Sequence, residues 1–336
     1  MLKVGLIGNG AIAGAHKNGY RKLVEEGIAT VVAICDIRPE RLTGDAVLGF
    51  ENARMYTDAE EMLKAEAGNL DFVDICVPTY LHSKMAIASM EAGFDTLSEK
   101  PMARTVEQAQ AMIETSKRTG KRLMIGYCNR FYEAAQRIKE LIDTQKYGKV
   151  INAVFHRDGG NGIPGGWDRW YEDGARSGGA MLDLHIHDVD MVRWMFGMPK
   201  AITASAASYV TKDGYDIMAT TYIYDNHLFV TASCDWMIDK NRFDFRVIRV
   251  NFERGYVYID RTAGRQTFVE VPYEGEAIES EVPPFDTYYA EIKYFAGQIL
   301  AGKPVEYNIP EESIDSIKMA FAEQASADNM GERVLL

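Results

Sequence analysis

Three side chains of this 336-residue sequence have the types and spacing needed to move a proton on and off an alcohol. Asp183 and His187 are four residues apart in a segment with apolar residues at helical spacing, so they lie on one line beside a buried stripe. A histidine titrates near neutral pH, and a carboxylate orients it and favours its charged form. Lys100 follows a strand-like run and precedes a proline, where its ammonium group can orient and polarise a hydroxyl. The ordinary alternatives are a surface lysine, a capping carboxylate and a satisfied helix histidine.

A metal site is the other chemistry that this segment suggests. His185 and His187 flank Ile186, and Asp183 and His156 are further possible ligands. Residues two apart on a helix point away from one another, so the two histidines do not share one ion easily. We therefore expect no metal.

The first strand runs straight into a glycine-rich turn. Val4 to Ile7 is apolar, and Gly8-Asn9-Gly10-Ala11-Ile12-Ala13 follows it. In a dinucleotide-binding turn the first glycine allows the tight bend, the second lets the backbone approach a pyrophosphate, and a small third residue lets helix and strand pack closely. Taken alone, the pattern is also typical of an ordinary strand-to-helix turn.

The second strand strengthens the cofactor interpretation. Thr30 to Cys35 is apolar and leads to Asp36, about 20 residues beyond the glycines, where a carboxylate accepts hydrogen bonds from an adenosine ribose. An acidic side chain there repels a 2′-phosphate, which favours NAD over NADP, and Arg38 could soften that preference. The alternative for Asp36 is a loop carboxylate that caps the next helix.

Strand-like and helix-like segments alternate over the first third of the chain, which predicts an α/β fold with a doubly wound parallel sheet. Gly93 and Gly120 follow the helices, where a C-terminal cap favours a residue that tolerates positive φ. Ligands of such sheets bind beyond the carboxyl ends of the strands, so Val77-Pro78-Thr79 and Glu99-Lys100-Pro101 should face a nicotinamide. We place this domain at residues 1–125. Its predicted strands include Val31 to Cys35, Phe72 to Val77, Thr96 to Ser98 and Arg122 to Ile125, and its helices Ser83 to Ala92 and Val106 to Thr119.

From about residue 150 the pattern predicts an open, mostly antiparallel sheet in a second, α+β domain at residues 126–336. In the hairpin around Asn226 both faces carry apolar side chains, so both need cover, either by helices of the same chain or by a second subunit in a homodimer or homotetramer. Tyr288 to Ala301 and Glu311 to Ala325 are predicted helices that could pack back on the first domain. The predicted strands are Val150 to His156, Ala201 to Tyr209, Ile217 to Tyr224, Leu228 to Trp236, Phe243 to Val250 and Tyr256 to Ile259.

Composition and charge exclude several classes of protein. With 47% hydrophobic and 26% charged residues, the chain can bury a substantial core and is long enough for two domains. A net charge of −12 argues against nucleic acid and anionic membranes as partners. We find no signal peptide and no apolar run approaching the roughly 18 residues of a membrane span, so we expect a cytoplasmic protein. The widely separated cysteines Cys35, Cys76, Cys128 and Cys234 are predicted to be buried free thiols.

An aromatic loop precedes the Asp183 segment. Gly165-Gly166-Trp167-Asp168-Arg169-Trp170-Tyr171 has the composition of a loop that stacks on sugar rings, and a packed loop is the alternative. The charged side chains of Asp168 and Arg169 would contact hydroxyl groups. His156-Arg157-Asp158 ends a predicted strand, and it either lines a pocket or is solvated.

Together these features resemble the glucose-fructose oxidoreductase / inositol dehydrogenase / MocA (Gfo/Idh/MocA) family, over nearly the whole chain. Its specific motifs are Glu99-Lys100-Pro101 and the spacing from Asp183 to His187. The other matching positions are the glycine-rich turn, Asp36, Pro78 with His82, Asn129-Arg130-Phe131, Gly178-Gly179, Glu291-Ile292 with Phe295, and Gly302-Lys303-Pro304.

The resemblance implies a Rossmann domain joined to an open-faced sheet domain, with NAD(H) or NADP(H) between them and a carbohydrate or cyclitol substrate. It implies that Lys100, Asp183 and His187 are the catalytic group: His187 takes the hydroxyl proton, Lys100 polarises the oxygen and Asp183 orients the histidine. The predicted cofactor contacts are Gly8, Asn9, Gly10, Ala11, Ile12, Asp36, Ile37, Arg38, Pro78, Thr79, His82, Glu99, Lys100 and Asn129. The predicted substrate contacts are Lys100, Arg157, Trp167, Asp168, Arg169, Trp170, Asp183 and His187.

One position departs from the family pattern. The common form has glycine at position 185, and His185 here narrows the pocket, contacts substrate or faces the interior. The leading function is an NAD-dependent dehydrogenase or reductase of a sugar or inositol-like polyol. The alternative is a hydrolase that cleaves a glycosidic bond by transient oxidation and elimination, for which His185 or Tyr171 is the candidate extra base. A non-catalytic cofactor-binding sensor is disfavoured because Lys100, Asp183 and His187 are all present.

Overall fold

The computed structural model describes residues 1–159, 166–225, 227–237, 246–260 and 266–336. The chain forms two compact units: unit 1 comprises Met1–Cys128 and Asp286–Ile314, and unit 2 comprises Asn129–Phe285 and Asp315–Leu336. The strands are β1 (Leu2–Ile7), β2 (Ala29–Cys35), β3 (Arg54–Tyr56), β4 (Phe72–Ile75), β5 (Asp95–Glu99), β6 (Leu123–Gly126), β7 (Val150–Asp158), β8 (Ala201–Ala207), β9 (Ile217–Ile223), β10 (Phe229–Asp235), β11 (Arg246–Phe252), β12 (Gly255–Asp260), β13 (Thr267–Pro272), β14 (Ile278–Glu281) and β15 (Val334–Leu335). The helices are α1 (Ala11–Glu25), α2 (Ala59–Ala65), α3 (His82–Glu91), α4 (Val106–Thr119), α5 (Glu133–Thr144), α6 (Gly174–Ser177), α7 (Ile186–Phe196), α8 (Thr287–Leu300) and α9 (Pro310–Asp328).

Unit 1 contains the predicted parallel sheet, with the strand order β3-β2-β1-β4-β5-β6. This order defines the doubly wound dinucleotide-binding fold, in which the sheet reverses its direction of growth between β1 and β4. Strands β4, β5 and β6 are buried along their whole length, including the polar residues Asp74 of β4 and Asp95 and Glu99 at the two ends of β5. The carboxyl ends of all six strands lie at one edge of the sheet.

Local capping signals set the ends of the helices in unit 1. Helix α4 has the bounds that the sequence predicts, because the Thr105 side chain accepts a hydrogen bond from the backbone nitrogen of Gln108 at 3.2 Å and Gly120 follows with φ 68°. Gly93, after α3, has φ 93°. Both glycines therefore have the predicted conformation.

The second segment of unit 1 completes its core. Helix α8 packs along α1, and the rings of Phe295 and Phe72 meet edge-on with their centroids 5.3 Å apart. The first segment of unit 1 ends at Cys128, three residues beyond the predicted boundary at 125. Of the two C-terminal helices, α8 and the start of α9 belong to unit 1.

Unit 2 is built on a nine-stranded sheet with the order β14-β13-β12-β11-β7-β10-β9-β8-β15. Strands β7 and β10 are parallel, and the other described pairs are antiparallel, so the predicted mostly antiparallel sheet is confirmed. The sequence did not predict the short strands β13, β14 and β15. Asn226 of the predicted hairpin and the predicted strand start at Phe243 lie outside the described residues.

The two faces of this sheet differ in burial. On β9, Met218, Thr220 and Tyr222 are buried, whereas Ile217 and Ala219 on the opposite face are exposed. Helix α7 packs on the buried side against β7 and β10, whereas Phe229 of β10, on the opposite face, is 43% exposed. All four cysteines are buried and free, as predicted. Within the described residues no helix is long and apolar enough to cross a bilayer.

Candidate active site

The glycine-rich turn between β1 and α1 leaves room for a phosphate. Gly8 has φ 91°, and a side-chain carbon there would lie 2.5 Å from the carbonyl oxygen of Cys76. A side-chain carbon at Gly10 would instead meet no heavy atom within 4 Å. Helix α1 begins at Ala11 without a side-chain cap, so the N–H groups of its first turn are available to an anion. Gly8, Gly10, Ala11 and Ile12 therefore fit the predicted pyrophosphate site.

Gly8→Ala is expected to lower the free energy of unfolding by about 1–3 kcal/mol and to weaken NAD binding, because alanine would combine a positive φ with a backbone clash. Urea unfolding and calorimetric titration with NAD⁺ measure the two effects. Gly10→Ala is the matched control, since its added carbon points into open space and should weaken only NAD binding. Wild-type stability in the Gly8 variant would contradict this account of the turn.

Asp36, the residue after β2, contacts the backbone of the glycine-rich turn. Its Oδ2 accepts a hydrogen bond from the backbone nitrogen of Asn9 at 2.8 Å, and its Oδ1 accepts one from the backbone nitrogen of Arg38 at 2.9 Å. The Nε of Arg38 lies 3.2 Å from Oδ1, so the guanidinium pairs with the carboxylate. Ile37, between them, is exposed. The carboxylate is thus held in the position expected for ribose recognition, beside a positive charge.

A lysine that the sequence interpretation did not single out stabilises this turn. The Nζ of Lys17 donates to Asn9 Oδ1 at 2.6 Å and to the carbonyl oxygen of Ala46. The amide of Asn9 donates to the carbonyl oxygens of Arg41 and Ala46 at 2.6 and 3.0 Å. Burial lowers the pKa of Lys17. The side chain of Asn9 is therefore used in shaping the turn.

The loops that follow β4 and β5 are tied together by His82. Its Nδ1 lies 2.6 Å from the carbonyl oxygen of Pro101, and its Nε2 lies 2.9 Å from that of Val77. Burial lowers the pKa of His82, and the carbonyl oxygens of Pro101 and Val77 only partly offset this effect. Predicted as a cofactor contact, His82 places both ring nitrogens against the backbone, so its direct effect is on the positions of the two loops.

Lys100 follows the last residue of β5 and is half-buried. Its backbone nitrogen donates to Glu99 Oε2 at 3.1 Å. Pro78, half-buried, and Thr79, buried, occupy the corresponding place after β4. Because β4 and β5 are adjacent parallel strands, these residues lie at the same edge of the sheet as the glycine-rich turn.

The glutamate before Lys100 belongs to a buried charge cluster that the sequence interpretation missed. On α1, His16 has its Nε2 2.9 Å from Glu99 Oε1 and its Nδ1 2.8 Å from Asp74 Oδ2. Tyr20, one turn further along the helix, donates to Asp74 Oδ2 at 2.8 Å. None of the four residues is more than 3% exposed. With a carboxylate at each ring nitrogen, His16 is an imidazolium that bridges Asp74 and Glu99.

The contacts within this cluster shift the pKa values of His16 and Glu291. Burial lowers the pKa of His16, but Asp74 and Cys76 raise it by more, so that it lies well above its ordinary value. Burial and the Glu99 carboxylate raise the pKa of Glu291 well above its usual range. One potential metal-ligand atom from each of His16, Glu99 and Glu291 lies within 4.8 Å of the other two. Because both nitrogens of His16 already contact carboxylates, this spacing favours a cluster that shares protons over a metal centre.

In unit 2, the segment that carries Asp183 and His187 departs from a regular helix. Residues Met181–His185 form a single π-helical turn, which we call the π turn, and α7 begins directly after it. Isolated π turns are frequent at functional sites because the extra residue per turn redirects side chains. Asp183 and His187 are both half-buried, a degree of exposure that leaves them accessible to a substrate.

The apolar stripe predicted beside this pair is largely confirmed. Leu182, Ile186 and Val189 are fully buried, whereas Phe196 is only half-buried at the end of α7. The stripe anchors the segment on the covered face of the sheet of unit 2, where the π turn packs against β9 and β10.

His185 faces the interior, which was one of the three orientations left open. The side chain is 0% exposed, and its Nε2 lies 3.4 Å from Glu323 Oε2. A ring that is fully buried beside a carboxylate does not reach a substrate, so His185 is not suited to be the extra base of a glycosidase. Tyr171, the other candidate, stacks on Trp170 with ring centroids 3.9 Å apart.

Arg157 is buried and paired, in contrast to the solvated strand end that was one expectation. Its Nε and Nη2 lie 2.7 and 2.8 Å from the two carboxylate oxygens of Asp188. The pair lines a cavity of unit 2 that Asn129, Tyr132 and Met191 also border. Arg157 thus contributes to a pocket wall, and Asn129, predicted as a cofactor contact, lies in unit 2 beside it.

The aromatic loop is partly packed and partly exposed. Gly165 lies outside the described residues, and Asp168 and Arg169 have φ 52° and 48°. Trp170 is 8% exposed and Trp167 is 39% exposed. The charged side chains pair locally, Asp168 with Arg176 and Arg169 with Glu172. Trp167 therefore offers the most accessible ring of the loop.

Comparison with known proteins agrees with the class of enzyme that this fold and turn define, an NAD-binding oxidoreductase. The sequence profile described as the oxidoreductase family with an NAD-binding Rossmann fold matches residues 2–127, and the C-terminal domain profile of the same Gfo/Idh/MocA family matches residues 135–258. The chain belongs to this family, as its motifs predicted.

Relatives of known name include myo-inositol 2-dehydrogenase of Thermotoga maritima, which is 32% identical over 337 residues, 95% of this chain and 93% of that protein. D-glucoside 3-dehydrogenase of Escherichia coli is 29% identical over 209 residues, 62% of this chain and 58% of that protein. A dehydrogenase from Bordetella pertussis, solved with NADH and UDP-GlcNAcA, has a TM-score of 0.84 and 22% identity, with 100% of this chain and 98% of that chain covered. This last likeness concerns the fold.

Proposed function

We propose that this protein transfers hydride between NAD(H) and a ring hydroxyl or ketone of a sugar, a sugar derivative or an inositol-like polyol. The observation that carries the proposal is that the open space beside Gly10 and the half-buried Lys100 occupy the same edge of one parallel sheet. A lysine beside a dinucleotide site is suited to polarise an oxygen whose carbon loses hydride. The names of the inositol and glucoside dehydrogenases to which the chain is similar support the substrate class.

The proposed reaction assigns one task to each residue. Bound NAD⁺ supplies the acceptor for the hydride. In the oxidative direction His187 removes the hydroxyl proton, Lys100 polarises the same oxygen and Asp183 orients the imidazole. The products are a ketone, NADH and a proton on His187, which then passes to solvent. In the reductive direction the protonated histidine acts as the acid.

The test is a panel of inositols, free sugars and glycosides incubated with the purified protein and NAD⁺, with absorbance at the nicotinamide band and product NMR recorded together. NADH and a keto product in equal amounts support the dehydrogenase. Cleavage of a glycoside without accumulation of NADH would instead establish the transient-redox hydrolase. Binding of NAD⁺ without turnover of any compound would favour the sensor.

NAD is the proposed cofactor in preference to NADP, because Asp36 would oppose a 2′-phosphate. Asp36→Ser should lower the NAD over NADP preference in kcat/KM at least about fivefold, since a charge contact of about 1–4 kcal/mol is removed and Arg38 is released. Initial rates with both cofactors measure the ratio. The double variant with Arg38→Gln is the control, and an unchanged preference in the Asp36 variant would remove Asp36 from cofactor recognition.

A homodimer or homotetramer through the sheet of unit 2 is also proposed. Its uncovered face includes Ile217 and Phe229, which are 37% and 43% exposed, with Ile223 paired to Phe229. Light scattering at several protein concentrations would report the assembly, and Phe229→Glu should shift it toward monomer.

The cytoplasmic location stays a prediction.

A further inference from the structure

The π turn of unit 2 has a polar anchor on its buried side. We propose that His185 and Glu323 form a buried ion pair that fixes the π turn and thereby directs Asp183 and His187 toward the substrate. Both are positioning residues and neither touches the reacting atoms. The inference rests on the proposed function only for its activity readout.

The contacts of Glu323 define the anchor. Its Oε2 lies 3.4 Å from His185 Nε2, and its Oε1 accepts a hydrogen bond from the Tyr222 hydroxyl at 2.5 Å. His185, Glu323 and Tyr222 are all 0% exposed. The pair joins three parts of unit 2 that are distant in sequence: the π turn, helix α9 and strand β9.

A carboxylate and an imidazole at such depth stabilise each other's charges. A buried carboxylate without a counter-charge is strongly unfavourable, as is a buried imidazolium. The titratable groups that face His185 are Glu323 from α9 and Cys234 from β10, and Tyr222 of β9 faces Glu323. Burial lowers the pKa of His185, but Glu323 and Cys234 raise it by more, to well above its ordinary value. The 3.4 Å separation of His185 Nε2 and Glu323 Oε2, both fully buried, therefore fits an ion pair without a direct hydrogen bond.

Helical spacing explains how an inward anchor directs outward side chains. Residues two apart on a helical turn point in nearly opposite directions, and residues four apart share a side. With His185 held against Glu323 in the core, Asp183 and His187 both lie on the opposite, half-buried side.

The two single variants should respond to pH in opposite directions. In His185→Gln the Glu323 carboxylate is left without its counter-charge, so kcat/KM for the sugar should be lowest at alkaline pH. In Glu323→Gln the imidazolium is left unpaired, so kcat/KM should be low at acidic pH and recover as the pH rises and the ring loses its proton. Where the lone charge is present, we expect a loss of between about tenfold and a hundredfold.

The experiment compares both single variants, the double variant His185→Gln/Glu323→Gln and the exposed control Glu276→Gln over pH 5 to 9. The double variant should lack the opposing pH dependences, and the NAD dissociation constant, set in unit 1, should be unchanged throughout. A loss of equal size at every pH in both single variants, or no loss in either, would overturn the proposal.

Two further readouts need no substrate. The thermal midpoints of the two single variants should show the same opposite pH dependences, and the His187 ring resonance in ¹³C-histidine NMR should shift in both. If the variants show these changes but the wild-type protein oxidises no sugar, only the proposed function would be contradicted. An unmoved His187 resonance in both variants would overturn the positioning role.

Discussion

Lys100→Met should lower kcat for sugar oxidation by about 10²- to 10⁴-fold and leave NAD binding nearly unchanged. Methionine keeps the length and packing of the side chain but removes the ammonium group that polarises the substrate oxygen. The backbone nitrogen of residue 100 would still donate to Glu99, so the end of β5 should keep its conformation. Single-turnover NADH formation measures the chemical step, and calorimetric titration measures the cofactor.

Lys84→Met is the matched control, because Lys84 is an exposed lysine whose side-chain accessibility is 65%. It should retain wild-type turnover. His187→Gln separates the two proton-handling groups: if His187 is the base, this variant loses the acidic limb of the kcat/KM profile along with most of the rate. Wild-type turnover in the Lys100 variant would exclude lysine from the reaction.

His16→Gln should lower the free energy of unfolding at pH 7 by about 3–5 kcal/mol, the range expected when one partner of a buried charge network is removed. Glutamine lacks the positive charge that Asp74 and Glu99 share, and both carboxylates are almost fully buried. The difference from wild type should shrink as the pH rises toward the raised pKa of His16, where the wild-type ring loses its positive charge as well. Urea unfolding at a series of pH values measures this.

Glu291→Gln is the matched variant in the same cluster, and it should raise stability where His16→Gln lowers it. The folded protein keeps a proton on Glu291 that the unfolded chain releases above its ordinary pKa of 4.5, so Glu291 makes stability fall as the pH rises from 4.5 toward the folded pKa. Glutamine, neutral at every pH, removes this loss. The variant should match wild type near pH 4 and exceed it in thermal midpoint at pH 8. A lower midpoint at pH 8 would show that Glu291 is ionised in the fold.

The parts of the fold that depend on local pattern follow from the sequence. Helix α4 has its predicted bounds because Thr105 and Gly120 are strong capping signals, and the parallel sheet follows from alternating strands and helices. The short strands β13 and β14 went unpredicted because polar side chains interrupt them and pairing with neighbouring strands decides their conformation.

In the candidate site, too, the features in local motifs were predicted and the contacts between distant residues were not. The glycine-rich turn and Lys100 stand in recognisable local motifs. The contact between His16 and Glu99 joins residues 83 positions apart, so the Glu99-Lys100-Pro101 motif does not by itself reveal that His16 is its partner. The orientation of His185 depends on Glu323, which lies in the last helix. The π turn arises from packing against the sheet, and no residue of Met181–His185 indicates it.

The return of Asp286–Ile314 to unit 1 has a consequence for the order in which the protein is made. Residues 1–128 are synthesised first, and about 160 further residues are added before α8 begins. At typical synthesis rates this takes roughly 8–32 s. During that interval Phe72 lacks its contact with Phe295, and the charge cluster lacks Glu291. The cofactor-binding unit therefore begins folding first and is completed only after nearly all of unit 2 has been synthesised, so the side of α1 that packs against α8 stays uncovered for that time.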